Sequence, residues 1–381
     1  MRLAFLVGSL EPGRDGVGDY CRQLGLAAEK LGHTVLSIAL NDRWLEAREN
    51  KSASVLRLSA SVVQAQRTGV VQEALREFCP DWVSLQYVCY AFHPKGMAWQ
   101  WNPAFAKLGV IGKRRHLMFH ELWSGEGGRP PLRHRIIGLG QRLVIRDLHQ
   151  RFRPDLVTTS TQQFQHRLAR RGIAAKVLPL FGNIPVSRRD DDRVVGLLGA
   201  AGSRTVQRPR NSYLQGIIFG TVHPDFDAQP LAGWLAELQR RAAKPVVLSM
   251  VGRGGTASGR FAEQLIKSVP CQLEVVSLGE QQEETISQSL QFADFGINTG
   301  SPEYLCKSGT FAAMREHGLP VVLADGRLDS TPAVKAAPPV LQFSAKDSVS
   351  KLLSHARHSS SGAGAAQTAL DMIQLFEQAT A

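Results

Sequence analysis

Short aliphatic runs bounded by turn residues alternate with longer stretches of helical period along most of the chain. That alternation is the signature of parallel α/β units. In the first half, residues 3–7 predict a buried strand, 19–31 a helix ended by Gly32, and 34–39 the next strand. Residues 71–78 predict a helix, and 82–86, 116–119, 156–159 and 176–180 further strands, before a Gly-Asn-Ile-Pro turn cluster closes the series. The pattern then restarts: 214–219, 246–251, 273–277, 295–298, 321–323 and 340–343 predict strands, separated by helices such as 231–241, 283–292 and 310–317.

Two Rossmann-like, doubly wound α/β domains follow from this, facing each other across a cleft at the carboxyl ends of their sheets. The expected boundaries are 1–185 for the first domain and 213–357 for the second. Between them, residues 186–212 mix charge blocks with Gly, Ser and Pro and predict a linker or mobile loop. Residues 358–381 predict a low-complexity break and a final amphipathic helix near 368–378.

The length of 381 residues suits two domains of ordinary size. A hydrophobic share of 43% against 20% charged residues excludes wholesale disorder and a disulfide-stapled miniature. No apolar run approaches the roughly 20 residues that span a bilayer, and the opening segment turns polar too early for a leader peptide. A soluble, cytoplasmic protein is expected. Cys21, Cys79, Cys89, Cys271 and Cys306 form no CxxC pair, so neither a zinc site nor a disulfide framework is expected.

In an open α/β fold the chemistry sits in loops that follow strands. The first such loop brings Gly8, Gly13, Gly16 and Gly18 to a helix start, where backbone N–H groups and the positive dipole end suit phosphate. The dinucleotide fingerprint needs glycine at position 21, where Cys21 stands; a plain flexible turn is the competing reading. His120-Glu121-Leu122-Trp123 ends another strand, and the His120 imidazole could donate to a sugar hydroxyl or simply be a satisfied structural histidine. Ser124 stands where a zinc protease would place its second histidine.

In the second half, Lys307, Ser308, Gly309 and Thr310 place an ammonium, two hydroxyls and a permissive backbone at a helix start, which suits a diphosphate. An ordinary N-cap beside an exposed lysine is the alternative. Gly252-Arg253-Gly254-Gly255 follows a strand, and Arg253 either reaches a phosphate or is a solvated surface arginine. KSGT lacks the order of a P-loop, and Asp294-Phe295-Gly296 imitates the kinase triplet with no catalytic loop before it.

The charge is uneven. Residues 1–185 hold 26 Lys+Arg against 14 Asp+Glu, while the remainder is balanced at 19 each. Within the basic half, Leu132, Ile136, Leu139, Leu143 and Leu148 recur at helical spacing among Arg133, Arg135, Arg142, Arg146 and Arg151. Such a helix either rests on an anionic membrane or packs inward while its arginines reach for water. No nucleic-acid motif accompanies the basic charge, so nucleic acid is not an expected partner.

Taken together, the GVGDY loop, FHELW, the segment VTTSTQQFQHRLARRG with VLPLFGNIPV, and PEYLCKSGTFAAMREHGLPVV resemble the retaining family 4 glycosyltransferases of the GT-B fold. The resemblance covers most of the chain. It implies a nucleoside diphosphate-sugar donor, with Gly16, Val17 and Gly18 near the diphosphate and acceptor, His120 on the donor sugar, Gly252 and Arg253 on the nucleotide, and Ser308, Gly309 and Thr310 on the diphosphate. It also departs from the family. Leu305 and Ala313 occupy the positions of the family's paired glutamates, and Glu303 lies two residues early. Lys307 and Arg253 are then expected to supply cationic charge, with His120 as the third catalytic candidate and Glu303 as a donor contact.

The expected reaction is metal-independent sugar transfer with retention, without a cofactor, to a glycan or lipid-linked acceptor in cell-surface glycan synthesis at the inner face of the membrane. The alternative is a catalytically silent sugar-nucleotide or glycan-binding protein of the same fold.

Overall fold

The computed structural model describes residues 1–125, 131–223, 226–269, 272–302, 305, 308–325, 339–355 and 364–380. The chain divides into two compact units, Met1–Pro179 with Ala365–Ala381, and Leu180–Gly364.

The first unit is built on an eight-stranded sheet. Its strands are β1 (Arg2–Val7), β2 (Thr34–Asp42), β3 (Glu49–Lys51), β4 (Val55–Ser59), β5 (Trp82–Tyr87), β6 (Arg114–Phe119), β7 (Leu156–Thr159) and β8 (Lys176–Val177), in the spatial order β3-β4-β2-β1-β5-β6-β7-β8. Every pairing is parallel except β3 with β4. The central strands are buried on both faces, which is why β1 reads as a continuous apolar run; β5 is equally buried but carries Ser84 and Gln86 among its apolar residues. Helices α1 (Gly16–Lys30), α2 (Gln64–Phe78), α3 (Cys89–Phe92), α4 (Asn102–Gly109), α5 (Leu132–Phe152) and α6 (Gln162–Ala169) accompany them. The order reverses between β1 and β5, so the switch point lies beside the loop that leads into α1.

The second unit has the six-stranded order β11-β10-β9-β12-β13-β14, all parallel, with β9 (Leu214–Phe219), β10 (Val246–Val251), β11 (Leu273–Gly279), β12 (Phe295–Asn298), β13 (Val321–Leu323) and β14 (Val340–Gln342). Numbered within the unit this is 3-2-1-4-5-6, the order of dinucleotide-binding folds, with its switch point between β9 and β12. Helices α8 (Ala228–Ala242), α9 (Gly255–Ser268), α10 (Glu283–Phe292), α11 (Gly309–Glu316) and α12 (Ser348–Ser354) cover it. Adjacent strand residues pack into opposite clusters: Ile218 joins Leu231, Leu235 and Phe261 on one face, and Ile217 joins Ile286, Leu290 and Met314 on the other. The sheet is therefore wound on both sides, as expected.

Two expectations about the domain boundaries change. Residues 186–212 are not an irregular linker throughout, because Asp191–Ala200 forms α7 within the second unit. The run of aspartates that reads as a charge block is its start: Asp190 caps it by accepting from Arg193 N at 3.0 Å. Val194 and Leu198, one turn apart, pack with Val206, Tyr213, Val247, Val276 and Phe292. Two buried apolar residues in ten give too faint a period to stand out from the charges around them. The final helix, α13 (Gly364–Thr380), belongs to the first unit, where Phe376 stacks on Trp82 at 4.3 Å and 11°. Most of the expected break, 358–363, lies outside the described residues, and its remainder opens α13.

Candidate functional site

Each unit offers a crevice at the carboxyl end of its sheet. In the first, β1 runs into Gly8 and Ser9, and α1 begins after Asp15. Gly18 lies so close beneath the Ser9 carbonyl that any side chain there would collide with it. The expected free N–H groups of this helix start are in part taken. The Asp15 carboxylate accepts from Val17 N at 3.0 Å and Gly18 N at 2.9 Å. Burial nevertheless pushes its carboxyl above the ordinary carboxylate range, against the pull of those two bonds. Asp42 fastens the preceding stretch, accepting from Ser9 Oγ (2.9 Å), Leu10 N (3.2 Å) and Arg57 Nε (2.8 Å). Burial opposes ionisation of Asp42, yet the Arg57 guanidinium and these donors together hold its carboxyl below the usual value. Arg57 also pairs with Glu11, so the loop between β1 and α1 is clamped from two sides.

His120 follows β6 and is buried, with its ring edge-on to Tyr20 of α1 at 5.0 Å. A chain of polar side chains leads to it through the interior of the sheet. Thr158 Oγ1 donates to Met118 Sδ at 2.8 Å, so His116 Nε2 must donate to Thr158 Oγ1, also at 2.8 Å. His116 Nδ1 then accepts from Ser84 Oγ (2.7 Å), Ser84 Oγ accepts from Gln86 Nε2 (2.7 Å), and Gln86 Oε1 accepts from His120 Nε2 (2.8 Å). Every donor has one acceptor, which sets both imidazoles in the Nε2–H form. Burial pushes both down to about 3, so they are neutral at physiological pH. His120 therefore spends its proton on Gln86 and keeps Nδ1 as an acceptor, in place of the donor role expected from its position.

In the second unit, the loops after β9 and β12 are tied together across the switch point. Thr299 Oγ1 accepts from His223 N at 3.1 Å and donates to Thr221 O at 3.2 Å. Two glycines allow backbones to meet here. Gly252 has φ +132°, and a Cβ on it would lie 3.0 Å from the Gly220 carbonyl oxygen. A Cβ on Gly220 would in turn lie 2.8 Å from Thr310 Cγ2, which places the start of α11 directly against the ends of β9 and β10. Ser308 is the N-cap: its Oγ accepts from Phe311 N at 3.2 Å and lies 2.9 Å from Thr310 Oγ1. Gly252, Ser308, Gly309 and Thr310 are thus brought together.

Arg253 stands beside them, half-exposed and paired with Glu280, which follows β11. Lys307 and Glu303 lie outside the described residues. The positions of the paired glutamates are core: Leu305 and Ala313 are buried, and a Cβ on Gly182 would lie 2.6 Å from Ala313 Cα. Position 313 therefore sends no polar group into the crevice. Asp294 of the kinase-like triplet accepts from Gln215 N at 2.8 Å and Arg210 Nη2 at 2.9 Å at the far, amino end of the sheet, a structural role.

Several residues here carry no sequence signal. Asn183 lies against the start of α11, its Nδ2 3.3 Å from where a Gly309 Cβ would stand. Glu316, on the last turn of α11, accepts from Gly182 N at 2.9 Å, and burial pushes its carboxyl up to about 7. Gln86 and Ser84 look in the sequence like ordinary polar residues of a strand. Separately, a cavity of about 500 Å³ is lined by His223, Phe226, Arg260, Phe261 and Lys267 along α9; it does not include the α11 start.

Among the described residues no helix is long and apolar enough to cross a membrane. No family model matches the sequence, and no curated protein does. Solved structures match over the whole length. HepE of Anabaena, solved with UDP and glucose, is 16% identical, with a TM-score of 0.59 over 99% of this chain and 98% of that one. Sucrose-phosphate synthase of Thermosynechococcus elongatus is 13% identical, with a TM-score of 0.55 over 99% of both chains. The UDP-GlcNAc 2-epimerase of Methanocaldococcus jannaschii is 12% identical, with a TM-score of 0.53 over 99% of this chain and 100% of that one. The chain has the GT-B fold of glycosyltransferases, a fold that an epimerase shares.

Proposed function

We propose that the protein transfers a sugar from a nucleoside diphosphate-sugar to an acceptor hydroxyl. The observation that carries the reading is the start of α11, seated at the switch point of a 3-2-1-4-5-6 sheet, with Gly220 and Gly252 letting the ends of β9 and β10 close up against Thr310. Negative charge grows on the leaving diphosphate as the sugar departs. Preorganised donors aimed at that charge stabilise it. Here they are the Gly309 and Thr310 N–H groups, the one hydroxyl proton that the Ser308–Thr310 pair does not spend between its own oxygens, and Arg253, for which the diphosphate competes with Glu280. Lys307, which precedes Ser308 in the sequence, is proposed as a further cation.

In the first unit, Gly16, Val17 and Gly18 border the donor diphosphate and the acceptor, and neutral His120 accepts a hydrogen bond from a sugar hydroxyl at Nδ1. We further propose that transfer needs no metal and retains the anomeric configuration. A glycan or lipid-linked acceptor of a cell-surface pathway suits the basic first half of the chain. The UDP and glucose held by HepE make UDP-sugars the first donors to try.

Thermal shift with UDP-, GDP- and ADP-sugars, followed by release of nucleoside diphosphate, tests the proposal. Stabilisation by one donor and slow turnover, lost in Arg253→Ala and Lys307→Ala and kept in excess chelator, is expected. Tight donor binding with no turnover across acceptors would instead support the silent binding protein, a reading that the buried Leu305 and Ala313 favour. NMR of the product decides the stereochemistry, and an inverted anomer refutes retention.

A further inference from the structure

We infer that the outward face of α5 docks on an anionic lipid bilayer. The helix carries two apolar faces. Val144, Ile145, Leu148 and Phe152 are buried in the first unit. Leu132, Ile136, Leu139 and Leu143 are 69%, 60%, 55% and 57% exposed. At 3.6 residues per turn these four fall in single file on the side opposite the buried set, over a length of roughly 16 Å. The inward-packing alternative raised by the sequence therefore holds only for Leu148 among the five residues of that pattern. The other four face solvent.

The flanks of this file are basic. On a helical wheel Arg135 and Arg146 run along one side, and Arg133 and Arg151 lie on the other, while the guanidinium of Arg142 turns onto the Trp123 ring at 5.7 Å. Asp147, the single acid of the helix, accepts from Asn102 Nδ2 at 2.9 Å and from Arg151 Nε at 2.7 Å. Scattered exposed leucines need no explanation, but an aligned set rimmed by cations marks an interaction site. One file of four exposed apolar side chains is far fewer than the roughly 20–30 residues a side that a stable protein interface engages. It also lacks the aromatic and methionine anchors that such interfaces favour. A bilayer sets no such area requirement: the aliphatic file sinks to the headgroup boundary while the arginines meet anionic headgroups. The excess of 26 Lys+Arg over 14 Asp+Glu in residues 1–185 acts in the same direction. This inference stands independently of sugar transfer.

Flotation of the full chain with phosphatidylcholine vesicles, with and without phosphatidylglycerol, provides the test. The wild type is expected to float only with the phosphatidylglycerol vesicles and to be released by salt. Ile136→Ser with Leu143→Ser should cut the bound fraction at least about tenfold. Arg135→Gln with Arg146→Gln should cut it by roughly fivefold for each arginine removed. Because all four positions are exposed, both variants should keep the wild-type circular dichroism, melting temperature and affinity for UDP, whatever that affinity is. A wild type that stays behind with anionic vesicles overturns the inference, as does an Ile136/Leu143 variant that floats equally well. Concentration-dependent self-association through this face without flotation overturns it too.

Discussion

His120 Nε2 donates to Gln86 Oε1 across 2.8 Å, and that one bond joins the loop after β6 to a polar chain reaching Thr158 two strands away. The chain has a direction: each proton points toward the next acceptor, so changing one member disturbs the orientation of the rest.

Gln86→Leu tests this. The substitution leaves the His120 Nε2–H and the Ser84 hydroxyl oxygen each without its partner, at a cost of about 1–3 kcal/mol for a buried unmet group. Urea titration should show that loss. Kinetics should show a further effect: the freed imidazole can flip, lowering kcat more than it raises KM. A variant with wild-type stability would remove Gln86 from this role.

The two buried imidazoles give a specific acid sensitivity. Their folded values, about 3, lie below the ordinary 6.5. Between those limits the unfolded chain binds protons that the folded chain refuses, so stability falls as pH falls from about 6.5 toward 3. The slope approaches about 1.4 kcal/mol per pH unit for each histidine. His116→Gln should flatten the denaturant midpoint measured between pH 6 and 4.

Glu316 works in the opposite sense. Its carboxyl is raised from 4.5 to about 7 by burial, so its contribution is full below 4.5 and is lost as pH rises through 7. Glu316→Gln keeps an oxygen for Gly182 N and cannot ionise. The variant should match the wild type near pH 5 and exceed it at pH 8 by on the order of 2 kcal/mol, read from melting curves at the two pH values. Equal curves at pH 8 would mean that the carboxyl ionises there without penalty.

Gly252→Ala places a Cβ 3.0 Å from the Gly220 carbonyl at a backbone angle, φ +132°, that side chains rarely adopt. About 1–3 kcal/mol of strain is expected, and the loops after β9 and β10 should move apart. Isothermal titration should then find UDP affinity reduced more than tenfold. A correctly folded Gly252→Ala protein that binds UDP normally would show that this close approach does not shape the donor site.

The C-terminal helix should be indispensable to the first unit. Phe376 is fully buried, stacked on Trp82 and edge-on to His116 at 5.0 Å. Phe376→Ala should cost about 3–5 kcal/mol, visible as a lowered melting temperature that donor addition restores only in part.

The sequence alone determined the alternation of strands and helices, because strands buried on both faces, such as residues 3–7 and 246–251, are almost wholly apolar and need little context to be recognised. It also located Ser308, Gly309 and Thr310, since a helix start is written in neighbouring residues. It missed α7, whose two buried apolar residues are outnumbered by charges, and could not tell which face of α5 packs, because both faces are apolar. Only the tertiary structure decided that Gln86 holds His120, that Gly252 meets Gly220, that Arg253 pairs with Glu280, and that Ala313 is sealed beneath Gly182. These contacts join residues far apart in the chain. Their energies depend on distance and burial, which local residue order does not encode.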